Sequence, residues 1–135
     1  MSLGYGGYMD LVADDGSTLM YTYCCYNINH TDYKKHMELA DGEITISRNS
    51  LIEPEIHIKV KKKPNGRKCI VEKRVRQDVP LEYLIDSGKI TVKNASNTWY
   101  TNPGGIDVIA LKMLLKLFNE YQDTGNIPKH ISLFS

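Results

Sequence analysis

The segment LMYTYCCYNINH, Leu19 to His30, constrains the fold more than any other part of the chain. In a strand, successive side chains point to opposite faces. Tyr21, Tyr23 and Cys25 then share one side, and Met20, Thr22, Cys24, Tyr26 and Ile28 the other. Both sides are apolar, so both need cover, and the segment belongs inside a sheet. A long helix can cover one face, leaving the other to the tail, a second subunit or a partner. Tyrosine buries a large area while keeping a polar tip, which suits an interface. Tyr21, Tyr23 and Tyr26 are therefore candidate partner-binding residues, and a homodimer or a partner-binding sheet face is expected.

The same alternation sends the adjacent thiols of Cys24 and Cys25 apart. Neighbouring α-carbons lie about 3.8 Å apart across a trans peptide, short of the roughly 4.4 to 6.8 Å that disulfides span. Three cysteines with two adjacent make a poor disulfide framework, and the thiols are expected to be reduced. Zinc knuckles need closely spaced cysteine pairs plus a second ligand pair. His30 and His36 do not supply that spacing, and His57 and His130 are scattered. There is no GxSxG elbow, and no basic residue lies close to the paired cysteines in sequence to lower a thiol pKa. The stretch NPGGID precedes a helix but lacks the spacing of a phosphate loop, and Asp107 would repel an anion there. No catalytic residue, metal ligand or cofactor is assigned. The chain reads as non-enzymatic.

GGYMDLVA and STLMYTYCCYN flank DDGS, which marks a hairpin. A second hairpin is expected around Asp41-Gly42, its strands running through Lys35–Leu39 and Ile44–Ile46. A short helix over Asp32–Leu39 is the competing reading. Over Pro54–Lys63 a helix is expected: Ile52, Ile56 and Val60 recur every four residues, and Ser50 with Glu53 resembles a capping box. A strand, from the alternation of Ile56, Ile58 and Val60, is the alternative. KCIVEKRVR reads as a strand, and DVPLEYLIDSGK as a short helix capped by Asp78. KITVKN reads as a strand pairing with NTWYTN. Ile106, Ile109, Ala110, Met113, Leu114, Leu117, Phe118 and Tyr121 form a broad helical stripe closed by Gly125 and Pro128. The tail from Asn126 to Ser135 is too apolar to be simply solvated and is expected to dock.

Strands gathered early and a long helix late predict an α+β fold, in which a mainly antiparallel sheet of N-terminal hairpins packs on one face against the C-terminal helix and one or two short helices. The chain, 1–135, is read as one domain, with 1–4 set aside as a disordered or vector-encoded start. No apolar run approaches the roughly 18 residues needed to span a bilayer, and no signal peptide precedes the fold, so no membrane partner and a cytoplasmic location are expected.

Charge is segregated. Residues 1–55 carry nine acidic and three basic residues (−6), 56–76 one acidic and nine basic (+8), and the remainder six acidic and five basic (−1), which sums to the net +1. Lys61, Lys62, Lys63, Arg67, Lys68, Arg74 and Arg76 of the basic stretch are candidate partner contacts. It has no aromatic residue for base stacking. A small bacterial cytosolic binding protein of toxin-neutralising, immunity-like type is the leading expectation, its partner being itself or an acidic protein. A nucleic-acid-associated regulator binding through 59–76 is the alternative.

Overall fold

The computed structural model describes residues 4–134. In chain order the elements are β1 (Tyr5–Asp14), β2 (Thr18–Asn27), α1 (Tyr33–Glu38), β3 (Gly42–Ser47), β4 (Glu55–Lys62), β5 (Lys68–Val75), α2 (Leu81–Asp86), β6 (Ile90–Lys93), α3 (Val108–Thr124) and β7 (His130–Phe134). Five strands form a sheet in the order β6-β3-β2-β1-β7, every neighbouring pair antiparallel. Among the described residues, strands β4 and β5 pair only with each other. The fold is α+β, as expected.

The apolar-on-both-sides segment is β2, at the centre of the large sheet. Its Leu19, Tyr21, Tyr23 and Cys25 face α3, joined by Met9 of β1, Ile44 and Ile46 of β3, Ile90 of β6 and Ile131 of β7. Helix α3 supplies Ile109, Ala110, Met113, Leu114, Leu117 and Phe118, the stripe read from its spacing. Its ends follow from local chemistry. The Asp107 carboxylate accepts from the Ile109 amide at 2.9 Å, and Gly125 closes the helix at φ 76°, a conformation that disfavours a β-carbon. In the β1–β2 turn, Asp15 accepts from the Ser17 and Thr18 amides.

Four local expectations are corrected. Residues 35–39 are not a strand: α1 occupies Tyr33–Glu38, the competing reading. This short helix lies over the outer sheet face, where the Met37 carbonyl accepts from Tyr8 Oη at 2.6 Å and the Cys24 thiol sits 3.8 Å away. Gly42 is accordingly not a turn residue but the first of β3, opposite Tyr23. Residues Glu55–Lys62 form a strand, not a helix. The capping signals are spent elsewhere: Ser50 Oγ donates to the Ser47 carbonyl at 2.6 Å, and the Glu53 carboxylate accepts from Tyr121 Oη. The β-branched Ile56, Ile58 and Val60 then favour the ladder that β5 offers. Asp78 does not cap α2, which begins after Pro80 without a side-chain cap. Finally, β6 pairs with β3 rather than with NTWYTN.

The tail docks as β7, an edge strand along β1. Of the residues set aside at the start, Met1–Leu3 lie outside the described residues, as does Ser135. Gly4 is held in place, its carbonyl accepting from the Ile28 amide at 2.8 Å.

The paired thiols diverge as the alternation requires. Cys25 enters the core beneath α3, 4.0 Å from Thr98 Oγ1, and Cys24 is buried on the outer face. Burial, with Asp107 adding to it, pushes the Cys25 thiol up to about 12, and burial raises Cys24 as well. Burial first, then the Cys24 contact, pushes Tyr8 to about 12. The folded chain thus keeps protons that the unfolded chain releases, so stability present below the ordinary thiol value of 9.0 falls as pH rises from there towards 12. Urea midpoints should decline across that window, and Cys25→Ala should flatten the decline. A midpoint independent of pH there would contradict this assignment.

Candidate partner-binding arm

Strands β4 and β5 form a hairpin that projects from the body. Their eight-pair register runs from Glu55↔Val75 to Lys62↔Lys68, and every residue of β4 is exposed. The PNG turn closes it: Lys63 donates to the Arg67 carbonyl at 2.7 Å, Asn65 accepts from the Arg67 amide, and Gly66 takes φ 84°. Because side chains alternate, one face carries Ile56, Ile58, Val60 and Lys62 against Arg74, Glu72, Ile70 and Lys68. The other carries His57, Lys59 and Lys61 against Lys73, Val71 and Cys69.

The first of these faces breaks the usual rule for a soluble surface. Ile56 is 49% exposed, Ile58 68%, Val60 63% and Ile70 75%, and they sit side by side across the two strands. Scattered apolar side chains are ordinary on a surface, whereas a contiguous row rimmed by charge marks an interaction site. An isolated two-stranded hairpin is also marginal in water and gains stability from a further strand or a covering surface.

The base of the arm is anchored to the end of α3. The Gln122 side chain is fully buried and bonds like a strand neighbour: its Oε1 accepts from the Gln77 amide at 2.6 Å, and its Nε2 donates to the Gln77 carbonyl at 3.0 Å. Arg74 donates to the Gln122 carbonyl at 3.2 Å, and Arg76 makes a two-point pair with Asp123. Gln122→Ala removes both side-chain bonds and should cost about 1–3 kcal/mol. Hydrogen exchange should quicken at Gln77 while the Lys63–Arg67 closure keeps its protection. Unchanged exchange at Gln77 would show that Gln122 does not hold the arm.

The ten candidate contacts therefore separate into distinct places. Tyr21 and Tyr23 have no exposed surface and belong to the core, because their face of β2 is the one α3 covers. Tyr21 Oη donates to the Pro128 carbonyl at 2.6 Å. Tyr26 lies half-buried on the outer face, its ring spread across Gly6, where a β-carbon would stand 2.7 Å from the hydroxyl. Arg74 and Arg76 are drawn to the arm's base. Lys61, Lys62, Lys63, Arg67 and Lys68 gather at its tip, and among the described residues none of these five pairs with a carboxylate. Sequence reasoning missed Ile56, Ile58, Val60 and Ile70 as site residues. For the β4 residues the alternation of Ile56, Ile58 and Val60 was the available signal, and it was outweighed by the helix-end signals of Ser50, Glu53 and Pro54.

Elsewhere the geometry offers less chemistry. A cavity of about 600 Å³ between α2 and the loop before α3 is lined by Leu81, Ile85, Ile106 and Leu111 with Glu82 and Asp86, without histidine, cysteine or lysine. Among the described residues no cluster of three or more histidine, cysteine or acidic side chains could hold a metal ion. Among those residues no helix is long and apolar enough to cross a membrane. Comparison with protein-family models, curated proteins and solved structures finds no match for this chain.

Proposed function

We propose that the protein is a non-enzymatic binding protein whose working surface is the β4–β5 arm and whose partner is an acidic protein. The observation that carries this reading is the row Ile56, Ile58, Val60 and Ile70, exposed on the same hairpin that concentrates the unpaired lysines. Phosphate backbones are met by cations and polar groups, and aliphatic side chains add nothing to that contact. A protein partner uses both halves of the surface: acidic groups meet the lysines at the rim, and apolar groups cover the row at the centre. Neutralising a toxin by covering an acidic patch is one activity such binding would supply.

A two-stranded ribbon is also narrow enough for a major groove, which keeps nucleic acid as the second reading. The triple variant Lys61→Glu, Lys62→Glu, Lys63→Glu separates the two. The wild type should retain an acidic partner from extracts of its own cell, rebind it after purification, and lose it on charge reversal. Duplex DNA and RNA should not be shifted at low ionic strength. Salt-sensitive binding of generic duplex by the wild type, with no protein partner, would replace this reading by the second one.

A further inference from the structure

We infer that the open edge of β4 accepts an extended segment of the partner as a third strand, and that this segment alternates acidic and aliphatic residues. This rests on the reading of the arm as the partner-binding surface, and it assigns the partner's chemistry and its mode of docking. The β7 border of the large sheet is less open, because Lys116 Nζ donates to the outward Ser132 carbonyl at 2.6 Å, a lysine guard of the kind that blunts an edge. Among the described residues the β4 border has no neighbouring strand, and it is exposed along its whole length.

The ladder fixes which groups are free. Lys63 bonds to Arg67 across the closing pair, so the alternation of antiparallel pairing turns the amides of Lys61, Lys59 and His57 towards β5. Those of Val60, Ile58 and Ile56 point outward. An added strand would bond to these three. Its side chains would lie beside Ile56, Ile58 and Val60 on one face and beside His57, Lys59 and Lys61 on the other. Aliphatic residues match the first set and carboxylates the second, so alternation in β4 demands complementary alternation in the occupant. The β5 edge has no such regular pattern, since its sequence runs Lys68, Cys69, Ile70, Val71, Glu72. A second copy is disfavoured as occupant, because antiparallel β4–β4 pairing sets His57, Lys59 and Lys61 against one another, and like charges directly opposite destabilise a sheet.

The probe is a capped peptide of alternating glutamate and valine, matched to β4 in length, with a control of the same composition in which the valines precede the glutamates. The alternating peptide should protect the Ile56, Ile58 and Val60 amides from exchange and bind at least about tenfold more tightly than the control. Ile58→Pro removes one outward amide but no β4–β5 bond, and should lose that preference. Should the proline disturb the arm, as exchange at Lys59 would reveal, the exposed pair Lys59→Glu and Lys61→Glu gives the second reading and should lose it too. Equal binding of the two peptides, or protection along β5 instead, overturns the inference. So does binding of phosphatidylglycerol vesicles that leaves the β4 amides unprotected. If an acidic partner is lost on charge reversal at Lys61–Lys63 yet held undiminished by Ile58→Pro, the strand-addition mode fails while the function of the arm stands.

Discussion

A single methyl group at Gly42 should destabilise the fold by about 3 kcal/mol, lowering the melting temperature by about 10 °C. A β-carbon there would lie 2.2 Å from Tyr23 Cε1 and 2.5 Å from Cδ1. The ring cannot swing aside. It is fully buried, and its hydroxyl is tied at both ends, donating to Asp107 Oδ2 at 3.0 Å and accepting from the Ala95 amide at 2.8 Å. Shortening the ring should therefore relieve the clash: Gly42→Ala combined with Tyr23→Leu should be about 2 kcal/mol more stable than the sum of the two single losses. Additive losses in a denaturant series would show that the two positions are not in conflict.

Asp107→Ala should be at least as damaging, at about 3–5 kcal/mol. Its carboxylate is 1% exposed and serves three elements at once. One oxygen caps α3 at the Ile109 amide. The other accepts from Tyr23 of β2 and lies 3.2 Å from Thr98 Oγ1 in the loop after β6. Loss of the cap alone costs about 1 kcal/mol, so the remainder measures the orphaned tyrosine hydroxyl. Asp107→Asn keeps an acceptor of the same shape and should recover much of the loss. An alanine variant within about 1 kcal/mol of wild type would mean that Asp107 only caps the helix.

Features governed by neighbours in sequence were legible. Helix α3 announced itself because a 17-residue element repeats its stripe over several turns, with Asp107 before it and Gly125 after it. The DDGS hairpin and the divergence of Cys24 and Cys25 follow from turn chemistry and strand alternation alone. Features decided by distant contacts were not. Ile52, Ile56 and Val60 fit both periods, and the choice fell to β5 as a pairing partner and to Tyr121, which removes Glu53 from its expected cap. Alternation grouped Tyr21 with Tyr23 but did not say which side α3 would take, so two core tyrosines were read as contacts. Arg74 and Arg76 looked like free cations because Gln122 and Asp123, which bind them, lie more than forty positions away. The basic segment was recognised by its charge, but its aliphatic row becomes visible only when both strands lie side by side.

The guarded carbonyl of Ser132 also bears on self-assembly, because the lysine bonded there would have to be displaced before another strand could take that position. A fibril grows when each molecule offers a receptive border and a donor border of one continuous sheet. Here the inferred receptive border belongs to the small hairpin, while the main sheet ends in a strand bonded by a lysine on one side and the four-residue β6 on the other. Strand addition at β4, if the inference holds, should therefore give a one-to-one complex, and a larger assembly in sedimentation would show that the β5 or β6 border takes part as well.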